Sequence, residues 1–516
     1  MARGALPKAA QDIIATRMGS WEPHCPDCLR RGHVVRAGAP DDSMQFTAFA
    51  YVFVVVLLGV AVFARPWLPA LLVFSTALQG VSMINVPVGD GLHGISPYSI
   101  VAAVAGGTLL FRLVREGGPG RLAERGEAGP AARLLAAYVL VAVVGAFILP
   151  HVFAGTPVVL LASRLDFDSA TLTPLAFGVS NAAQAANLLV HAVAFTFLLD
   201  AASRPDWDSR RLLWGLGAAG ALTVLAGAYE RLALAGLWPS SIDFWMNNPG
   251  YVQLSEQYIA GIRRVVVPFS EASYASAFLA ALWTGLLALL ALGRRPLLVL
   301  LPLVLVGLGL LNTLGATGWA AAAATAPMVL LALTARAMVR DAWGAALRRR
   351  VAAAWACALA AGAVGLWLGT ASPVAPRIQE LVYETVLVRA DPETTNTSRQ
   401  KSNEVAMQIV ADTYGLGVGL GSHRASSYVA SLASNTGLVG AILFAAMLAA
   451  LLRPYVRAAN PADGEIFVAA ALVGATLAVS LSIPDLNIPL YWAFVFLAFF
   501  CRPEPGSDRG RVDAST

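Results

Sequence analysis

The residues best placed to do chemistry lie in one glycine-rich stretch, Gly415-Leu-Gly-Val-Gly-Leu-Gly-Ser-His-Arg-Ala-Ser-Ser427, between a polar segment and an apolar run. His423 has an ordinary pKa of about 6.5, which suits proton transfer near neutrality and makes it a candidate general base. Arg424 can grip an oxyanion with a forked pair of N–H donors, as can Arg264 and Arg399 on neighbouring polar segments. Ser426 and Ser427 open the following helix, where backbone N–H groups and the helix dipole favour an anion. Glu271, in Pro268-Phe-Ser-Glu-Ala-Ser-Tyr274, heads another apolar run and is a second candidate base or a helix-start carboxylate. Together these residues could hold a phosphate or diphosphate and move one proton.

The elements that must position them are membrane helices. Of 516 residues, 57% are hydrophobic and 13% charged, and the mean hydropathy is +0.66. Apolar runs long enough to cross a bilayer as helices recur near 46–64, 67–84, 97–113, 134–152, 177–199, 212–236, 270–293, 296–312, 317–335, 351–370, 426–452, 465–482 and 488–501. The expected fold is an all-α integral membrane protein of 12–13 spans. The runs are continuous rather than alternating, which argues against a β-barrel.

Charge sets the expected topology. Arg112, Arg115, Arg121, Arg125 and Arg133 share one loop, and Arg204, Arg210 and Arg211 another. Arg294 with Arg295, Arg336 with Arg340 and Arg348 to Arg350, and Arg453 with Arg457 mark three more. The positive-inside rule puts all five in the cytoplasm and leaves 153–176, 237–269 and 371–425 outside. The net charge of +5 is thus topological and implies no nucleic-acid partner. Within 371–425, a short apolar patch (Leu381 to Val388) precedes an amphipathic helix over Ser398–Tyr414, with Val405, Ile409 and Val410 on one side. That segment ends in the glycine-rich turn, with 426–502 carrying the last spans and 503–516 a cytoplasmic tail.

With thirteen spans and a cytoplasmic C-terminus the leader, 1–43, would lie outside, where Arg17, Arg30, Arg31 and Arg36 suit export poorly. Either the span count is off by one or, the reading we favour, the native chain begins at Met44. Cys25 and Cys28 have the spacing of half a zinc knuckle, but there is no second pair, and no metal site is expected there. No cofactor or metal is expected at the arginine-rich region either.

Gly417-Val-Gly-Leu-Gly-Ser-His-Arg-Ala-Ser-Ser427, followed by Leu432-Ala-Ser-Asn-Thr-Gly-Leu-Val-Gly440, resembles the C-terminal signature of O-antigen ligases and Wzy-type polysaccharide polymerases. Arg264-Val-Val-Val-Pro-Phe-Ser-Glu-Ala-Ser-Tyr274 is similar to a segment of exopolysaccharide polymerases in that group. The resemblance covers motifs over roughly 260–440 and the hydropathy layout of the whole chain. It implies a GT-C type glycosyltransferase of the bacterial cytoplasmic membrane, working on undecaprenyl-diphosphate-linked glycans. Its partners would be a lipid-linked donor, a glycan acceptor and a chain-length regulator. Ligases of the group place a His where this chain has Ser426, which favours a polymerase over a ligase. An O-antigen ligase transferring glycan to a lipid or protein acceptor is one alternative, and a lipid-linked sugar transporter or flippase is the other. It would place ionisable groups in mid-span, where this chain offers only Glu230-Arg231 and His191.

Overall fold

The computed structural model describes residues 44–88, 91–115, 129–159, 172–251, 253, 256–259, 261–292, 296–339, 349, 352, 355–356, 367, 370–371, 375–383, 396–458 and 462–502. The leader with its Cys pair, most of the run at 351–370, the apolar patch beyond Tyr383 and the tail lie outside these residues. The main compact unit comprises Met44–Val86 and Leu92 onward.

The chain is mostly helical. In order, the helices are α1 (Ala48–Phe63), α2 (Leu68–Ser75), α3 (Pro97–Arg115), α4 (Pro130–Val152), α5 (Val179–Ala202), α6 (Arg210–Leu234), α7 (Ala272–Leu292), α8 (Pro296–Asn312), α9 (Ala316–Val339), α10 (Ala375–Val382), α11 (Asn396–Asp412), α12 (Tyr428–Arg457), α13 (Asp463–Ser482) and α14 (Pro489–Phe500). Seven of them, α3 to α7 with α12 and α13, are long and apolar enough to span a bilayer, and α1, α8, α9 and α14 hold shorter apolar stretches. Short strands lie between helices, among them β1 (Pro157–Val159), which pairs antiparallel with β2 (Leu172–Pro174).

Large apolar side chains face outward along α1 and α8: Phe63 is 89% exposed and Leu297 83%. Water would penalise such a surface and lipid does not, so the exterior itself marks a multi-pass membrane protein. At the opposite extreme, α14 is buried on every side, with Tyr491, Trp492, Phe494 and Phe496 fully enclosed. An all-round apolar helix is stable only when others surround it, and α14 packs against α5, α12 and α13.

One expected span is not a continuous helix. Over 67–84 the chain is helical only through α2, after which Ser75 and Thr76 turn their hydroxyls back onto the carbonyls of Leu72 and Val73 (2.8 and 2.7 Å). Residues 76–83 run buried and irregular. Their polar groups are met from the loop after α6: the Gly80 carbonyl accepts from the N–H groups of Asn247 and Asn248 (3.1 Å each), and Ser82 N–H donates to Asn247 Oδ1 at 2.8 Å. Irregular backbone inside a membrane protein survives only where protein satisfies it in this way.

Candidate functional site

The glycine row after α11 is a stiff structural pin. Gly415, Gly417, Gly419 and Gly421 all have φ between +75° and +93°, a region that other residues rarely enter. Space forbids a side chain as well. A Cβ on Gly417 would lie 2.7 Å from Gly437 N in α12, and one on Gly421 would lie 2.6 Å from Ser180 O in α5. Gly437 itself breaks the helical conformation of α12 at φ 68°, and the two backbones meet there.

Hydrogen bonds hold the turn from three sides. Asn435 Oδ1 accepts from the N–H groups of Ser422 and His423 (3.2 Å each), while its Nδ2 donates to His423 O and Ser431 O (2.8 Å each). From α5, Asn181 Nδ2 donates to Leu420 O at 2.9 Å and to Ser422 Oγ at 2.7 Å. Asn403 in α11 uses its Oδ1 to accept from the N–H groups of Ser426 and Ser427 (2.9 and 3.2 Å). Ser427 Oγ then caps α12 by accepting from Ala430 N. The expectation of free N–H donors for an anion at Ser426 and Ser427 is therefore corrected: a side-chain carbonyl of the protein already occupies them.

His423 is buried, at 5% exposure. The Val159 N–H donates to its Nδ1 (3.1 Å), so that nitrogen carries a lone pair and the proton sits on Nε2. Nε2–H in turn donates to Ser402 O at 3.2 Å. Burial pushes its pKa down to about 4, partly offset by the Ser402 carbonyl. The ring is neutral and both nitrogens are committed to backbone.

Beside this turn lies a polar cavity of about 220 Å³, lined among others by Glu271, Tyr274, Arg424, Asp485, Tyr251 and Gln184. It collects one end of several helices: the N-terminal turns of α5 and α7, the start of α12 and the connection from α13 to α14. Arg424 is fixed through its backbone, N–H to Val159 O at 2.9 Å, and its guanidinium forms no hydrogen bond or ion pair among the described residues. Glu271 Oε2 accepts from Ser273 Oγ at 2.9 Å, and Asp485 Oδ1 accepts from Asn487 N at 3.0 Å. Burial raises the pKa of Asp485 and the charge of Glu271 raises it further, against the Asn487 N–H and Arg424, which lower it. Ser270 Oγ, also on the cavity wall, is buried with no partner. Leaving a buried hydroxyl unpaired costs on the order of 1–3 kcal/mol, which is expected where a ligand or water completes the site.

Of the residues expected from sequence, His423, Arg424 and Glu271 come together on this cavity. Arg264 does not line it. That side chain is 4% exposed and donates to Gln257 Oε1 and Thr313 O, so the expected convergence of Arg264 with Arg424 is corrected. Arg399 lies in the first turn of α11, one turn before Ser402 and Asn403, and its side chain is outside the described residues. Asp485, Tyr251, Tyr274 and Gln184 were not anticipated. Asp485 carried a signal: a carboxylate in Ile483-Pro-Asp-Leu-Asn487, a short turn between two apolar runs, has no topological use. Among the described residues no group of three His, Cys, Asp or Glu side chains is arranged to hold a metal ion.

No protein-family model matches the chain, and no curated protein does.

Proposed function

We propose that this multi-pass membrane protein is a glycosyltransferase that polymerises undecaprenyl-diphosphate-linked oligosaccharides on the extracytoplasmic face of the bacterial cytoplasmic membrane. The observation that carries the reading is the cavity in which Arg424 faces Glu271 and Asp485 among tyrosine and amide side chains. Carboxylates, amides and aromatic rings are what sugar hydroxyls and sugar faces bind, and the guanidinium is what a leaving diphosphate requires.

In the proposed reaction the acceptor hydroxyl gives its proton to Glu271 as its oxygen attacks the anomeric carbon of the donor. The bond from that carbon to the diphosphate breaks, and Arg424 meets the charge that develops on the departing oxygen. Glu271 takes the base role in preference to His423, because its carboxylate opens to the cavity while both His423 nitrogens bind backbone. One guanidinium against two carboxylates suits sugar better than diphosphate, so the diphosphate is assigned to the Arg424 edge. Asp485 and Gln184 then hold acceptor hydroxyls.

The test is purified protein in liposomes with undecaprenyl-diphosphate oligosaccharide. Longer lipid-linked chains support polymerisation. Transfer of glycan only to a non-glycan lipid or protein acceptor moves the assignment to a ligase, and transbilayer movement of unaltered substrate moves it to a flippase.

A further inference from the structure

A second cavity, of about 730 Å³, opens among the C-terminal ends of α1, α3 and α5 and is lined by Arg65, Arg112, Arg115, Arg204, Asp200 and Asp206. We propose that it binds the phosphate of an anionic phospholipid from the cytoplasmic leaflet.

The charge balance is four guanidiniums against two carboxylates. Asp200 Oδ2 accepts from both Arg112 (3.2 Å) and Arg204 (2.7 Å), which fixes those two side chains at the cavity wall. Arg65 spends only its Nε, on Ala61 O at 3.1 Å. Its terminal nitrogens and the whole Arg115 guanidinium have no partner among the described residues. The Nε–H of Arg204 is buried and also lacks an acceptor. These are donors arranged for an oxyanion that no described residue supplies.

The remaining wall decides between a soluble anion and a lipid. Val104, Gly107 and Phe111 continue the same cavity along α3, and Phe111 is 66% exposed. Basic heads beside an exposed apolar strip match an amphiphile, with phosphate at the arginines and acyl chain along Phe111. The volume suits a headgroup with its first methylenes.

Position supports the leaflet. Helix α5 lines the first cavity with Ser180 and Gln184 and the second with Asp200, and Ser203 just past its end joins that second wall. Gln184 to Asp200 spans about 24 Å at about 1.5 Å per residue, close to the hydrocarbon thickness, so the two cavities open at opposite membrane faces. The basic end, with Arg210 and Arg211 on the same connection, is cytoplasmic by the positive-inside rule.

The test uses the full chain in detergent, titrated separately with short-chain phosphatidylglycerol, phosphatidylcholine and inorganic phosphate, and read by native mass spectrometry. Phosphatidylglycerol is expected to bind on the order of tenfold tighter than phosphatidylcholine, with excess phosphate failing to displace it. The double variant Arg65→Gln/Arg115→Gln removes the two arginines that hold no ion pair among the described residues, and it should lose the preference while keeping its melting temperature and its glycan transfer. Equal binding of the two lipids, or a preference that survives in the double variant, overturns the proposal. Displacement of phosphatidylglycerol by equimolar phosphate assigns the site to a free anion and also overturns it.

Discussion

The sharpest separation of roles comes from substituting His423 and Glu271 in parallel. His423→Ala leaves the Val159 N–H and the Ser402 carbonyl buried without partners, two groups that the ring now bridges at 3.1 and 3.2 Å. At about 1–3 kcal/mol for each orphaned group, the loss is about 2–6 kcal/mol of local stability, enough to loosen the turn that carries Arg424. His423→Gln restores one of the two bonds and should cost about half as much, with turnover falling by less than about tenfold. Glu271→Gln keeps the side-chain acceptor for Ser273 Oγ, so it should melt like the parent. Its transfer rate should nevertheless fall by about 10²–10⁴, the usual contribution of a general base. The assays are incorporation of labelled sugar into lipid-linked product and a fluorescence melting curve on the same samples. pH supplies an independent check. The His423 pKa is depressed in the folded state to about 4 from an ordinary 6.5, so between those values the unfolded chain binds more protons. Stability from this group is therefore complete above about pH 6.5 and lost as pH falls toward 4, at up to about 1.4 kcal/mol per pH unit. A His423→Gln enzyme that melts normally but is inactive would refute this assignment and return the base role to the imidazole.

Three further substitutions or treatments address the rest of the site. Arg424→Ala should reduce transfer by about 10²–10³, as loss of a charge-stabilising donor does elsewhere, and Arg424→Lys should rescue only part of it because the fork is lost; near-normal polymer from the Ala variant would remove Arg424 from the mechanism. Transfer in EDTA should match that in buffer alone, with Arg424 supplying the positive charge, and a rate lost in EDTA but restored by Mg²⁺ would contradict this. Gly417→Ala should lower the melting temperature sharply, since its φ of 75° and a Cβ 2.7 Å from Gly437 N leave no room for relaxation; a melting curve like the parent's would show that the turn yields.

The helices were legible because lipid imposes one simple demand, a continuous apolar run, and most expected spans coincide with helices to within a few residues. The break after α2 was not. Leu71 to Leu78 reads as apolar as its neighbours, and the unwinding depends on Asn247 and Asn248, about 165 residues away in the chain. The helix expected over Ser398–Tyr414 is present as α11, Asn396–Asp412, with Ile409 and Val410 buried. The glycine row was found by its spacing, but its purpose could not be. Alternating glycines fit an anion cradle or a backbone packed against other backbones, and only the neighbours at Ser180 and Gly437 decide for packing. Arg264 and Arg424 illustrate the same limit, since both follow polar loops and only tertiary contacts send one to Thr313 and the other to the cavity.

The structural and chemical readings of the turn are connected. An arginine on a mobile loop beside Glu271 and Asp485 would fold onto one of them as an ion pair and be lost to a ligand. Here the loop is held rigid by its packed glycines, by Asn435 and by both nitrogens of His423. Arg424 acts electrostatically on Asp485 and, among the described residues, closes a contact on neither carboxylate. A charge held off its counter-ions stays available to a developing oxyanion and needs little reorganisation when the bond breaks, which is where preorganised electrostatics are strongest. On the proposed reaction the residues that sequence spacing marked for chemistry divide by what they bind: His423 and the glycines are spent on holding the turn, and Arg424 with Glu271 are left for the substrate.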